Sequence, residues 1–279
     1  MNTSHNNIPF SVCMSVYKND NAEDFLTAIR SISIEQTLAP NEIVLVADGP
    51  ISEPLQHAID QFTKEYQHLR YIPLATNHGH AIARQTAIDA ATNDWIAIMD
   101  SDDIAVPDRF EKQIEFINHH PDVDVLGGQI TEFIDNTENI IGKREVPTED
   151  SAIKEYLKSR CPMNFVTVMI RKNALTTVGG IQDWFCEEDY YLWIRMTLNN
   201  CIFANLTEVL VNVRSGSNMY QRRGGWRYFQ SERGIQVYLL QHHLISIVRY
   251  CYNVIGRFVV QVLLPNRLRG FMFQKLFRK

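Results

Sequence analysis

The 279 residues are 45% hydrophobic and 21% charged, the balance of a folded protein with ample core, which excludes a disordered or fibrous chain. The net charge of −5 hides an asymmetry: from Arg222 onward 11 Lys and Arg stand against one acid, Glu232, whereas residues 1–221 carry 16 basic and 31 acidic residues. The acidic body repels phosphate backbones and argues against a nucleic-acid partner. The basic, apolar tail suits anionic lipid or phosphate, or else a plain helical subdomain with a solvated basic face.

Residues 10–15 read as a buried strand, and residues 21–36 follow as a helix with Phe25, Leu26, Ile29, Ile32 and Ile34 along its apolar face. A second strand over 42–47 ends at Asp48-Gly49-Pro50. A helix near 52–67, a short strand over 70–74, a helix from Gly79 to Thr92 and a strand over 95–99 complete an alternating pattern. Strands and helices in alternation predict a mostly parallel sheet covered on both faces. Residues 107–118 read as a helix. Residues 123–133 form a longer strand with a bulge-like break at Gly127-Gly128. Residues 135–150 read as a polar loop, 165–171 as a strand, 173–178 as a short helix, 187–199 as an amphipathic helix and 202–214 as the last strand. A Gly- and Arg-containing loop over 215–225 leads to a mainly helical tail, 226–279. In that tail His242, His243, Arg249 and Arg257 keep every uncharged run below the roughly 18 residues of a membrane span. An interfacial amphipathic helix fits better. Cys13, Cys161, Cys186, Cys201 and Cys251 are odd in number and show no CxxC spacing. They read as reduced thiols of a cytosolic chain, and the N-terminal stretch lacks the basic and apolar regions of a secretory signal.

Two acidic clusters carry the chemistry. Asp100-Ser101-Asp102-Asp103 follows the apolar run Trp95–Met99 directly. Carboxylates massed at the end of a buried strand repel one another and resist desolvation, and a hard divalent cation such as Mg²⁺ or Mn²⁺ removes that penalty. The same residues also fit a strand-to-helix turn with an Asp cap before Pro107. Glu187-Glu188-Asp189, at the start of a predicted helix, fits either helix-dipole stabilisation or a catalytic acid pair. Ligands of parallel α/β sheets bind beyond the carboxyl ends of the strands, where Ser15-Val16-Tyr17, Asp48-Gly49 and Asp100–Asp103 all fall. There Asp48 can accept from an imide N–H of a base, while Asp100 and Asp102 can reach ribose hydroxyls and a metal. Such an edge suits a nucleotide with a metal-bridged diphosphate.

The segments Met14-Ser-Val-Tyr17, Val46-Ala-Asp-Gly49, Asn77-His-Gly-His-Ala-Ile-Ala-Arg84, Asp100-Ser-Asp-Asp103 and Glu187-Glu-Asp-Tyr-Tyr-Leu-Trp-Ile-Arg195 occur in that order. Together, over roughly residues 10–226, they resemble the family-2 glycosyltransferases of the GT-A fold, especially those that build O-antigen and exopolysaccharide repeat units. The resemblance implies that Ser15 and Tyr17 line the nucleotide pocket, Asp48 reads the base and Arg84 holds the nucleotide side. Asp100 would contact the ribose or a metal-bound water, and Asp102 would ligate Mn²⁺ or Mg²⁺. Asp189 would be the general base, with Glu188 as its alternate. Inverting displacement on an α-linked nucleotide sugar would then give a β-glycosidic product. Arg84-Gln85 departs from the family's usual Arg-Asn, His80 fits either a ligand contact or a structural role, and Trp193 reads best as core.

Arg214, with Arg222 and Arg223 in the loop that follows, could close on the donor diphosphate or grip a lipid-linked diphosphate acceptor; a solvated loop is the competing reading. Processive synthases of the family carry Gln-x-x-Arg-Trp, whereas this chain reads Gln221-Arg-Arg-Gly-Gly-Trp226, which suits transfer of a single sugar. The expectation is a GT-A catalytic domain over 1–225, with a nucleotide half to about 103 and an acceptor half beyond it, and a basic amphipathic tail over 226–279. The donor would be a nucleotide-diphospho sugar and the acceptor a lipid-diphosphate saccharide, met at the cytoplasmic face of the inner membrane. A nucleotidyltransferase and a non-catalytic nucleotide-sugar-binding membrane-surface protein are the competing functions.

Overall fold

The computed structural model describes residues 8–215 and 224–264. Four parallel strands form one half of its sheet: β1 (Phe10–Val16), β2 (Glu42–Ala47), β3 (Leu69–Pro73) and β4 (Trp95–Met99), in the order β3-β2-β1-β4. Their apolar runs are continuous because both faces are covered. In β1, Phe10, Val12, Met14 and Val16 enter one core layer and Cys13 the other; in β2, Ile43, Leu45 and Ala47 oppose Val44 and Val46.

The first layer is closed by α1 (Ala22–Ser31), α2 (Glu53–Glu65) and α4 (Arg109–His119), which bury Phe25, Ile29, Phe62, Phe110 and Ile114. The second is closed by α3 (His80–Ala90), α5 (Asp150–Leu157), α6 (Lys172–Thr177), α7 (Glu188–Leu198) and α8 (Trp226–Gln241). Each fully buried Phe, Ile or Leu in these layers contributes about 1.5–3 kcal/mol. Helix α1 starts where the Asn21 side chain accepts from the Glu23 and Asp24 N–H groups at 2.8 and 3.1 Å. Helix α8 plants Ile235 and Leu239, both fully buried, in the second core, so the first part of the tail packs on the body.

The other half of the sheet is mixed. Strand β8 (Met169–Arg171) runs antiparallel between β4 and β6 (Val125–Phe133); β9 (Phe203–Arg214) is parallel to β6, and β5 (Ile104–Ala105) is antiparallel to β9. The pairing of β6 with β9 shifts register at the two glycines, and a Cβ on Gly127 would lie 2.4 Å from Asn205 Oδ1. The loop expected over 135–150 contains a further strand, β7 (Ile140–Arg144), paired with β6. Its Ile140 and Ile141 face solvent, so no inside–outside alternation marks it in the sequence. The expected strand over 165–171 begins instead as a 3-10 turn at Phe165–Thr167, because Asn164 and Thr167 hydrogen-bond to Gly128 across the bulge. Among the described residues no helix is long and apolar enough to cross a membrane.

Candidate active site

Strands β1, β2 and β4 end together, with Val16 opposite Ala47 and Met14 opposite Met99. Their carboxyl ends open on a cavity of about 630 Å³ whose lining includes Ser15, Tyr17, Asp20, Asp48, His80, Asp100 and Asp102. Five of the expected nucleotide-site residues therefore share one space.

Asp48 is buried, and its carboxylate organises the loop that follows β3. It accepts from Asn77 Nδ2 at 2.8 Å, His78 N at 2.7 Å and Gly79 N at 3.0 Å. Three of its roughly four lone-pair positions are used, which leaves one on Oδ1 for a ligand donor. Gly49 (φ +84°) permits this closeness, since a Cβ there would lie 2.6 Å from the Asn77 nitrogen.

Arg84, on α3, joins the two acidic clusters. It is buried, hydrogen-bonds Asp100 through Nη2, lies 3.7 Å from Glu188 Oε1 through Nη1, and sits 4.6 Å over the Phe165 ring. Burial alone would raise the Asp100 carboxyl, but the Arg84 guanidinium and His80 beside it hold it below its usual range. The His80 ring stands between the same acids, 3.9 Å from Asp100 and 3.9 Å from Glu188. It is half exposed at the cavity wall, yet desolvation on its inner side and the nearby Arg84 push its pKa down to about 4, so it is neutral at pH 7. His80 thus belongs to the cavity and not to the core.

Among the described residues Asp102 forms no side-chain ion pair. Desolvation, with the charges of Asp100 and Asp20, pushes its carboxyl up to about 6, although the charge of Arg214 behind it offsets part of that rise. Asp20 itself accepts from Tyr17 N at 3.1 Å and from Ser101 Oγ at 2.8 Å. Among the described residues no group of three His, Cys, Asp or Glu side chains forms a ready metal cage. A cavity acid whose pKa stays raised despite Arg214, beside a second acid, still fits Mg²⁺ or Mn²⁺, which bind through one or two carboxylates plus substrate phosphates. Asp103 faces away from the cavity. It is buried, accepts the Arg214 N–H at 2.9 Å, and is pushed well above the usual carboxylate range by burial and its acidic neighbours.

Arg214 lies behind this acidic turn. Its guanidinium is engaged by the Asp102 carbonyl at 3.1 Å, the Asp135 carbonyl at 3.2 Å and Asp24 Oδ1 at 2.9 Å, and stacks on Phe133. It fastens the end of β9 to the acidic turn. Arg222 and Arg223 lie outside the described residues.

The acidic turn before α7 separates its three carboxylates. Glu187 is buried and pushed well above the usual carboxylate range, first by desolvation and then by Glu232 and Asp189, and it accepts from the Tyr228 hydroxyl at 2.9 Å. Glu188 turns toward Arg84 and His80 at the first cavity, and burial with the charge of Asp189 raises its pKa. Asp189 opens into a second cavity of about 530 Å³, among Arg144, Arg160, Cys161, Tyr252 and Arg257. There it accepts from Tyr190 N at 2.7 Å and from the Cys161 thiol at 3.3 Å. Glu188 and Asp189, adjacent in sequence, thus serve different spaces.

The neighbouring motif residues are structural. Gln85 accepts from Ile181 N at 2.6 Å and donates to Asp89 at 2.7 Å. Trp193 is fully buried against Phe165 and Phe203, and Arg195 donates to the Val178 and Gly180 carbonyls. Sequence reasoning missed Asp20, whose only sign is an Asp three residues after Tyr17, and the whole second cavity, whose arginines come from separate segments.

Residues 11–185 match the model of the glycosyl transferase family 2. The chain is 33% identical over 268 residues to the amylovoran biosynthesis glycosyltransferase AmsE of Erwinia amylovora, covering 95% of this chain and 98% of that protein. It is 32% identical over 270 residues to a UDP-Gal:α-D-GlcNAc-diphosphoundecaprenol β-1,3-galactosyltransferase of Escherichia coli, covering 97% of both. In fold it is similar to the mannosyltransferase PcManGT from Pyrobaculum calidifontis, solved with GDP-Man and Mn²⁺, at a TM-score of 0.64 and 14% identity over 96% of this chain and 79% of that one. A GT-A-type α/β sheet that gathers its carboxylates at the strand ends, and full-length relatives that are themselves glycosyltransferases, lead to one conclusion: the chain belongs to the family-2 glycosyltransferases.

Proposed function

We propose that this enzyme transfers one hexose or N-acetylhexosamine, with inversion, from a UDP-sugar to a saccharide carried on a lipid diphosphate, in surface-polysaccharide assembly. The observation that carries the proposal is the split between Glu188 and Asp189: one acid turns to His80 and Arg84, which meet Asp100 at the wall of the first cavity, and the next opens into a second, arginine-bearing cavity. A base between donor and acceptor needs that position. The names of the two curated relatives support the substrate classes, one for an exopolysaccharide and one for a UDP-galactose donor with a diphosphoundecaprenol acceptor.

In this reading Ser15, Tyr17 and Asp48 hold the base of the nucleotide, and Asp100, pinned by Arg84, meets the ribose. Asp102 and Asp100 would hold Mn²⁺ or Mg²⁺, whose charge would offset that of the departing diphosphate. Asp189 takes the proton of the acceptor hydroxyl. The acceptor oxygen bonds to the anomeric carbon from the face opposite the diphosphate, whose C–O bond breaks with its electron pair leaving on UDP. An α-linked donor therefore gives a β-linked product. Arg144 and Arg160 face the acceptor diphosphate, and Arg222 and Arg223, outside the described residues, are proposed to bind a diphosphate as well. The enzyme works at the cytoplasmic surface of the membrane that carries the acceptor, with the basic segment 226–279 toward it.

The test is a panel of UDP-sugars, UDP-galactose and UDP-glucose first, with a synthetic GlcNAc-diphosphate-lipid acceptor. Metal-dependent release of UDP, without pyrophosphate, and a β-linked product are expected. Pyrophosphate release, or a retained α-linkage, would overturn the proposal.

A further inference from the structure

Helix α9 (Ile247–Phe258) and the turn Val259–Leu263 are built inside out. Their polar side faces the protein. Asn253 is buried and donates to the Lys158 carbonyl at 2.9 Å and to Gln236 Oε1 at 2.8 Å, while Arg249 bonds Glu155 and Ser159, and Arg257 pairs with Glu232. The apolar side faces outward. Val248 (75%), Tyr252 (78%), Ile255 (64%), Val259 (42%) and Leu263 (61%) are exposed, and their spacing of three and four residues sets them on one arc. Single exposed apolar residues are ordinary; an aligned row on a helix whose polar side is buried marks a contact surface.

We infer that this arc is a lipid-contacting surface, lying in the headgroup–acyl boundary of an anionic bilayer. Charge selects this occupant. Residues 265–279 continue with Leu268, Phe271, Met272, Phe273, Leu276 and Phe277 among Arg267, Arg269, Lys275, Arg278 and Lys279, without an acid. Bulky apolar residues interleaved with cations suit an anionic lipid surface, whereas a second copy docked here would bring like charges together. The placement also has a purpose under the reading above, on which that purpose rests. Tyr252, Asn253, Gly256 and Arg257 of the same helix line the cavity that holds Asp189, so docking on the arc brings that cavity to the lipid-anchored acceptor. The contact is hydrophobic as well as electrostatic.

The full-length protein is sedimented with vesicles of phosphatidylcholine and phosphatidylglycerol at low salt and at about 0.5 M salt, where surface charge is screened. The wild type is expected to bind, and to keep part of its binding at high salt. The triple variant Val248→Ser, Ile255→Ser, Leu263→Ser is expected to partition about tenfold more weakly at both salts. Its transfer to a water-soluble short-chain acceptor should be unchanged, which also reports that it folds. A separate Ile255→Trp variant should bind at least as well, with added emission that shifts blue on vesicles. The inference is overturned if the wild type ignores vesicles, if the triple variant binds as tightly as the wild type, if the Trp emission does not shift, or if light scattering finds a dimer that the triple variant splits. Vesicle binding without sugar transfer would instead sink the functional reading and leave this contact standing.

Discussion

The two cavities on either side of the α7 turn balance their charge in opposite ways. In the first, one buried cation, Arg84, holds Asp100 and Glu188, while Asp102 forms no side-chain ion pair among the described residues and its pKa is raised. In the second, the acids have local partners: Glu187 bonds Tyr228, Glu232 pairs with Arg257, and Asp189 accepts from Tyr190 N and the Cys161 thiol. An acid short of counter-charge suits a ligand that brings its own cation, and acids with hydrogen-bond partners of their own leave the arginines of their cavity to meet an anionic ligand. On the proposed reading, that difference assigns the donor to the first cavity and the acceptor to the second.

The largest effect should come from removing Asp102. Asp102→Asn is expected to lower transfer at least about 10³-fold and to abolish Mn²⁺ binding measured by titration calorimetry, with little change in thermal stability. Chelation of the wild type should mimic it and added Mn²⁺ or Mg²⁺ should reverse it. Metal-independent turnover would erase the distinction between the cavities. Next, Asp189→Asn should reduce kcat about 10³-fold while donor KM stays near the wild-type value, whereas Glu188→Gln should act mainly on the donor side. Equal effects of the two on donor KM would contradict the split.

Arg84→Met tests the bridge. It leaves Asp100 and Glu188 facing each other without their cation and should destabilise the fold by about 2–3 kcal/mol in denaturant unfolding. In the second cavity, Arg144→Ala is expected to raise acceptor KM about tenfold and leave donor KM alone. The smallest effect concerns pH. Glu187 is raised above its ordinary pKa, so the folded state holds its proton longer than the unfolded state does, and its contribution to stability falls as pH rises from the ordinary range toward the raised value. Glu187→Gln should remove that part of the slope and raise Tm by a few degrees at pH 8 relative to pH 5. An unchanged slope would show that the Tyr228 hydroxyl already offsets the burial.

The alternating strands and helices to residue 99 were legible because each strand is an uninterrupted apolar run ended by polar residues. The residues that line the first cavity were legible for the same reason: Ser15, Asp48 and Asp100 stand where such runs stop. Strand β7 was not, since an edge strand with exposed isoleucines lacks alternation, and neither was the two-residue β5. Asp20 gave only the weak sign of an Asp three residues after Tyr17, because its role depends on Ser101 arriving from 81 residues away.

By itself the sequence determined the layered sheet, the strand ends where carboxylates gather, and the amphipathic character of α9, since each follows from periodicity along the chain. Only the tertiary structure decided which acid meets which space. Successive helix residues point about 100° apart, so Glu188 and Asp189 must diverge, but what each faces depends on Arg84 from α3 and Cys161 from beyond α5. The same holds for α9. A periodic pattern defines two faces, and packing alone settles which turns inward; here the polar one does, through Asn253, Arg249 and Arg257.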